Sequence, residues 1–203
     1  MKQTDSHSED SIQAQIKIVH LSSAHGDRDV RIFLKECISL AKVYKNLQVH
    51  LVLAGVEERI EEGVSIHSVP TNLGGRLKRM WNTVNQVQRK ALELQGDIYH
   101  LHDPELLRIA LKLKRKGKKV IYDAHEDLPR QILDKEWING LVRKSLATLA
   151  EKYENTVVSK LDGIITATPH IRNRFLKYNN NTIDINNFPI ENKFPNTTDW
   201  KNK

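Results

Sequence analysis

Two histidine–carboxylate pairs, His102-Asp103 and His125-Glu126, are the residues best suited to acid–base or hydrogen-bonding chemistry. Each pair follows a short β-type run, DIYHL in one case and KKVIYDA in the other. Between the runs, Asp103-Pro104 and the 3–4 spacing of apolar residues predict a helix, and Gly117 ends it. A strand–helix–strand unit this compact predicts a right-handed parallel crossover. Both pairs should therefore lie at the carboxyl edge of one parallel sheet, where ligands bind in such folds.

These four side chains have different alternatives. A histidine just past a strand has little to pack against, so we expect a functional role for His102, whereas helix capping is sufficient to explain Asp103. Glu126 could act as a base or accept hydrogen bonds from ligand hydroxyls, or it could be a solvated loop carboxylate. Two histidines and two carboxylates could bind a metal ion, but they lack the fixed helical spacing of motifs such as HExxH. We therefore predict no metal and no cofactor.

The rest of the chain alternates strand and helix patterns. Further strands are predicted at Ile16–Leu21, Gln48–Gly55, Val64–Pro70, Asp162–Thr168 and Thr182–Pro189. The order βαββαβαβα predicts an α/β, Rossmann-like fold with a largely parallel sheet flanked by helices. With the strand order 3-2-1-4-5-6, Ser22, Ser23 and His25 would lie opposite His102 and Asp103.

Helical periodicity also predicts two further helices. Leu146, Leu149, Tyr153 and Val157 mark one late helix, and Met80, Trp81 and Val84 mark a packing stripe on an earlier one. Four histidines fall inside strands, where we expect core or neighbouring positions: His20, His50, His67 and His100.

Phosphate-binding fingerprints are weak. No GxGxxG follows the first strand, and no GxxxxGK[ST] motif occurs. Gly74-Gly75-Arg76, at a predicted helix start, could bind an anion through free N–H groups. A turn that requires positive φ explains the glycine pair at least as well.

Composition limits the class of protein. The 203 residues are 39% hydrophobic, contain one cysteine and carry a net charge of +7. Residues 1–15 are polar and predict a disordered leader before a cytoplasmic domain at 16–189, with a polar tail at 190–203. Six of the eight residues from Lys112 to Lys119 are basic. Without interleaved aromatic residues they favour a solvated helix end over a nucleic-acid surface.

Several motifs together resemble those of Family 4 glycosyltransferases. They are YHLHDPELL, VIYDAHEDLP, HLSSAHGDRDVRIFLKEC, LDGIITATPHI and INNFP, and they occur in order between Ile16 and Pro189. The resemblance implies the N-terminal, acceptor-side half of a GT-B enzyme. Such enzymes transfer a sugar with retention from a nucleotide diphosphate donor and need no divalent metal at the catalytic centre.

The resemblance also implies site residues. His102 matches a histidine that faces the transferred sugar, and His125 and Glu126 match a motif that lines the acceptor side. His25 and Gly26 match the loop after the first strand, which approaches donor phosphate and acceptor. The sequence stops shortly after NFP, where the family continues into a donor-binding domain, so we expect no independent catalysis.

The expected function is therefore hexose transfer to a sugar or lipid-linked acceptor, with a separate donor-domain subunit and peripheral membrane contact as further partners. Three alternatives remain: a non-catalytic split-enzyme subunit or truncated remnant, a sugar-nucleotide epimerase-like domain, and, less favoured, a basic nucleic-acid-binding module.

Overall fold

The computed structural model describes residues 15–71 and 76–189. The chain divides into two compact units, Met1–His100 and Leu101–Lys203, and each is described by itself. The predicted leader, the tail at 190–203 and the Gly74-Gly75 pair lie outside the described residues. Within the described ranges, no helix has both the length and the apolar character needed to cross a membrane.

Strands and helices alternate as the sequence predicts. The strands are β1 Ile16–Leu21, β2 Leu47–Ala54, β3 Arg59–Glu61, β4 Val64–Val69, β5 Ile98–Leu101, β6 Lys119–Ala124, β7 Gly163–Thr166 and β8 Thr182–Asp184. The α-helices are α1 Ile38–Val43, α2 Arg76–Leu94, α3 Leu107–Arg115, α4 Leu128–Leu133, α5 Gly140–Val158 and α6 Pro169–Phe175. A π-helix, Val30–Cys37, leads into α1, and a 3₁₀ turn, Pro104–Leu106, leads into α3. The strands are mostly parallel and flanked by helices, which confirms the α/β, Rossmann-like prediction.

In the first unit the strands follow the order β3-β4-β2-β1. The β1–β2 and β2–β4 pairs are parallel, as the predicted order of the first three strands requires. The sequence reading missed β3, a three-residue strand that pairs antiparallel with β4. Glu62 and Gly63 join the two strands with φ of 50° and 80°. The strand is too short to carry a recognisable alternation of apolar and polar residues.

The core of the first unit forms where the π-helix packs against the sheet. The Asp29 carboxylate accepts hydrogen bonds from the backbone N–H groups of Arg31 and Ile32, which starts this helix. Phe33 and Cys37 are fully buried against β2 and β4. Burial raises the pKa of the Cys37 thiol, so this cysteine is a packing residue and not a nucleophile.

In the second unit, β6, β7 and β8 pair in parallel. Gly117 ends α3 with φ of 75°, as predicted. Thr168 caps α6 by accepting a hydrogen bond from the N–H of Ile171, with Pro169 at the first helical position. Asp103 differs from its prediction, because its side chain makes no capping hydrogen bond to the 3₁₀ turn that follows it.

Two helices expose some of the apolar side chains by which periodicity identifies them. Leu149 in α5 is 65% exposed, and Leu146 and Tyr153 share its exposed side of the helix. The buried side of α5 instead carries Ala147, Glu154, Asn155, Val157 and Val158. In α2, Val84, Val87 and Ala91 are buried, but Trp81 is 58% exposed and Met80 is also exposed. The prediction that Met80 and Trp81 pack against the protein was wrong, because periodicity identifies a helix but not which of its faces meets a partner.

Candidate functional site

The centre of the candidate site is a contact between His102 and Asp123 in the second unit. His102 follows β5, and Asp123 is the fifth residue of β6. Nδ1 of His102 lies 3.3 Å from Oδ2 of Asp123, and both side chains are fully buried. Because a carboxylate only accepts hydrogen bonds, Nδ1 of His102 must carry the hydrogen in this bond. The expectation that His102 would have little to pack against is wrong, since the residue is only 1% exposed.

His125 approaches the same carboxylate from beyond the end of β6. Its Nδ1 lies 3.6 Å from Oδ2 of Asp123, and its side chain is partly exposed. The structure therefore brings two of the predicted site residues, His102 and His125, together on one buried carboxylate. Glu126, the next residue, is exposed.

The loop that carries His125 and Glu126 is anchored by a buried charge network. Asp127 accepts a hydrogen bond of 3.0 Å from Arg130, and one of its oxygens lies 4.0 Å from Nε of Arg174. Arg174 donates a 2.6 Å hydrogen bond to Glu154, whose other oxygen accepts one of 3.1 Å from the Tyr122 hydroxyl. This chain of contacts connects the site loop to the helix α5 and the strand β6.

Burial shapes the electrostatics of this network. The pKa of Glu154 is raised by burial, against the opposing effect of the Arg174 charge and its hydrogen bond. Burial and the neighbouring Glu154 charge also raise the pKa of Tyr122, so its hydroxyl stays protonated and keeps donating to Glu154.

His25 and Gly26 lie in the loop after β1, in the first unit. Nδ1 of His25 lies 3.1 Å from the Ser22 hydroxyl, whose oxygen also accepts a hydrogen bond from the His25 backbone N–H. The Ser22 side chain thus fixes the orientation of His25. Space around Gly26 is open, since a Cβ added there would meet no atom within 4 Å. No steric constraint of the described chain requires glycine at this position.

The predicted anion cradle remains a prediction. Arg76 is the first residue of α2, which agrees with the predicted helix start. The side chain of Arg76, like Gly74 and Gly75, lies outside the described part of the structure.

Two further histidine groups in the first unit were predicted as core or neighbouring positions. His20 and His100 are buried with ring centroids 4.8 Å apart, and Glu36 lies 3.6 Å from His100. The Arg31 guanidinium lies 3.3 Å from Glu36 and forms an ion pair with it. His50 and His67 are half-buried and stacked, with ring nitrogens 2.8 Å apart.

Sequence reasoning missed Asp123, Arg174 and Glu154. Asp123 lies near the carboxyl end of the apolar run KVIYDA. A carboxylate within a buried strand is unusual, and that signal could have identified it. Arg174 and Glu154 lie in helices far from the site loop in sequence, and no local pattern connects them.

The arrangement can orient imidazoles and hold a substrate hydroxyl. Asp123 fixes the ring of His102, while His125 presents a partly exposed imidazole beside the same carboxylate. Such a carboxylate–imidazole contact sets the tautomer and the orientation of the ring. Glu126 adds an exposed acceptor next to it.

Comparison with solved structures shows the same fold at low sequence identity. Sucrose-phosphate synthase from Thermosynechococcus elongatus is 11% identical, with a TM-score of 0.60, over 85% of this chain and 48% of that one. HepE from Anabaena, solved with UDP and glucose, is 13% identical, with a TM-score of 0.52, over 85% and 44%. A candidate UDP-N-acetylglucosamine 2-epimerase from Listeria monocytogenes is 13% identical, with a TM-score of 0.50, over 81% and 43%.

The chain therefore spans about half the length of these structures. No curated protein sequence matches it. The family model described as Glycosyltransferase Family 4 matches residues 37–185, which include the site residues His102, Asp123, His125 and Glu126. The chain belongs to Glycosyltransferase Family 4.

Proposed function

We propose that this chain is the acceptor-side half of a retaining GT-B glycosyltransferase. The reaction is transfer of a hexose from a nucleotide diphosphate sugar to a hydroxyl group of a sugar or lipid-linked acceptor. The observation that carries the proposal is the pair of imidazoles on Asp123, within the segment that the family model matches. HepE, which shares the fold, was solved with UDP and glucose, and that ligand pair supports a nucleotide sugar as donor.

In this reaction the bond between the anomeric carbon and the donor phosphate breaks, and the acceptor oxygen forms the new bond on the same face. The proton of the acceptor hydroxyl leaves with the nucleotide diphosphate. His125 is the partly exposed imidazole of the pair, so we assign to it the contact with the substrates. Glu126 accepts a hydrogen bond from a further acceptor hydroxyl.

His102 has a different role because it is buried. It was predicted to contact the transferred sugar, and its burial favours a positioning role through Asp123. His102 contacts Oδ2 of Asp123 and so fixes the position of the carboxylate, which keeps it aligned with His125. His102 therefore contributes to the stability of the fold and to the positioning of the site.

The donor side is assigned to the second half of the GT-B fold, with Gly26 and the Gly74-Gly75-Arg76 segment as the expected contacts to the donor phosphate. A half-cleft encloses one substrate and does not exclude water, so the chain by itself should be inactive. We place this reaction in the cytoplasm.

The test uses the purified chain with radiolabelled UDP-glucose and GDP-mannose, with and without a separately produced donor-binding half of a GT-B glycosyltransferase. We expect no transfer by the chain alone, and transfer by the mixture that His125→Ala or Glu126→Gln reduces. Turnover by the chain alone, lost in folded His125→Ala, would overturn the requirement for a second half. A folded mixture without transfer would favour a non-catalytic subunit or remnant.

A second candidate is a sugar-nucleotide epimerase, because a candidate epimerase shares the fold. Epimerisation at C2 requires the C2–H bond to break, so solvent deuterium would enter the sugar. The mixture incubated with UDP-N-acetylglucosamine in D₂O separates the two functions: deuterium at C2 supports the epimerase, and glycoside formation without it supports the transferase.

Peripheral membrane contact is part of the proposed function for a lipid-linked acceptor. The exposed stripe of α5, composed of Val142, Leu146, Leu149 and Tyr153, follows helical i, i+4, i+7, i+11 spacing. Trp137, 78% exposed, precedes the helix. Arg143 and Lys144 supply positive charge in the first two turns of the helix, where no acidic residue occurs. Exposed apolar side chains with adjacent cations fit an anionic lipid surface.

A further inference from the structure

A polar groove on α5 lies on a different side of the helix from the exposed apolar stripe. Its volume is about 540 Å³, and it is lined by residues of the C-terminal half of α5 together with Tyr178, which follows α6. From Thr148 to Ser159 the helix extends about 16 Å, so the groove is elongated. None of its residues takes part in the candidate site described above.

One residue that lines this groove carries a buried acceptor. Asn155 is only 8% exposed, and its Oδ1 has no hydrogen-bond partner among the described residues. A buried amide oxygen without a partner costs free energy that a ligand's hydrogen-bond donor can recover.

Hydroxyl groups along the groove add further acceptors. Thr148, Thr156 and Ser159 each donate their hydroxyl hydrogen to a backbone carbonyl of α5, at 3.0, 2.7 and 3.0 Å. Since the hydrogens are engaged within the helix, the oxygens offer lone pairs to a ligand. The exposed carboxylate of Glu151 is another acceptor, and Lys152 is the cationic donor of the groove.

The excess of hydrogen-bond acceptors over donors in this groove indicates which class of ligand it can bind. An anion would meet one lysine and many acceptors, including a carboxylate, so phosphate groups are disfavoured. An apolar ligand would leave the polar lining unsatisfied. A saccharide supplies many hydroxyl donors over an elongated shape. The 44% exposed ring of Tyr178 offers an aromatic surface for the C–H face of a sugar.

We propose that this groove binds an oligosaccharide. It is a second saccharide site, and it is separate from the loop that carries His125 and Glu126. The inference deepens the proposed function, on which it rests for the expectation of a saccharide acceptor: the groove would hold a distal part of a chain-like acceptor.

The experiment is ligand-observed saturation-transfer NMR on the full chain, with maltotriose, cellotriose and chitotriose as probes and no nucleotide sugar present. We expect saturation transfer to at least one triose. Tyr178→Ala and Thr156→Val should raise its Kd about tenfold, as the loss of one favourable contact does. Tyr153→Ala, which removes an exposed tyrosine from a different side of the same helix, is the matched control and should leave the Kd unchanged.

Asn155→Leu removes the buried acceptor while keeping the branched shape of the side chain, and its far-UV circular dichroism reports whether it folds. Absence of saturation transfer from all three trioses would overturn the proposal, as would transfer unaffected by Tyr178→Ala and Thr156→Val. Binding lost in His125→Ala but kept in Tyr178→Ala would place the saccharide at the candidate acceptor site instead. Because no nucleotide sugar is present in this experiment, its outcomes are independent of whether the transferase assay succeeds.

Discussion

Nδ1 of His102 lies 3.3 Å from Oδ2 of Asp123, with both side chains removed from solvent. A buried carboxylate is stable only when it is paired and hydrogen-bonded, because desolvation disfavours its charge. The contact therefore contributes to folding as well as to the candidate site.

His102→Ala should destabilise the protein by about 3 kcal/mol, because it leaves the Asp123 carboxylate buried without its nearest imidazole. Glu126→Gln, at an exposed neighbouring position, should change the free energy of unfolding by less than about 0.5 kcal/mol. Urea denaturation of both variants measures the difference. Equal stabilities would show that His102 and Asp123 do not form a stabilising pair.

Arg174→Met should destabilise by about 3–5 kcal/mol, since it leaves Glu154 buried without its cation. The double variant Arg174→Met, Glu154→Gln should recover part of this loss, because a neutral amide is less costly to bury. A double-mutant cycle gives the coupling energy of the pair. Additive effects of the two substitutions would contradict the predicted network.

The same network has a pH dependence. Burial raises the pKa of Glu154, so the folded state binds its proton more tightly than the unfolded state does. The stability that this proton contributes is fully present below the ordinary glutamate pKa and is lost as the pH rises through the folded pKa.

His50 and His67 predict a pH effect of the opposite sign. Burial, with the neighbouring His67 and Lys17 charges, lowers the pKa of His50 to about 4. The pKa of His67 is lowered by burial and by Lys90. Because the unfolded state binds protons first, stability should fall as the pH decreases from about 6.5 to about 4.

We expect the His50 part of this loss to be about 1–2 kcal/mol after allowance for its partial exposure. Urea denaturation at pH 7, 6, 5 and 4 measures it. His50→Gln removes the titrating group, so the difference between this variant and the unmodified chain should narrow toward pH 4. A difference that does not change with pH would disprove the effect.

Lys114 should differ from its neighbours in the basic run. Its Nζ lies 2.7 Å from Oδ2 of Asp162, and the same oxygen accepts a hydrogen bond from the N–H of Val120. Lys114→Gln should cost about 1 kcal/mol, whereas Lys112→Gln and Lys116→Gln, at exposed positions, should cost nearly nothing. Thermal unfolding of the three variants tests this. Equal midpoints would restore the prediction of a wholly solvated helix end.

The α5 stripe predicts binding to anionic vesicles. Leu149→Ser with Trp137→Ser should reduce co-sedimentation with phosphatidylglycerol vesicles about tenfold, since both remove exposed apolar surface. Lys112→Gln with Lys116→Gln is the charge control and should have little effect. If only the lysine variants lose binding, the membrane-facing surface is the end of α3 and not α5.

The sequence by itself determined the alternation of strands and helices, because apolar periodicity, Gly117 and Thr168-Pro169 act through local chain geometry. It also identified His102 and His125 as neighbours, since right-handed parallel crossovers leave few alternatives. Helix boundaries agreed to within a few residues for the same reason.

Only the tertiary structure decided which side chains the site would bury and pair. Asp123 became the shared partner of two histidines, and Arg174 reached Glu154 and Asp127, through contacts between residues far apart in sequence. The α5 stripe is exposed because the burial of a helix face depends on whether another element packs against it, which periodicity does not reveal. Those decisions belong to long-range packing, which no local pattern encodes.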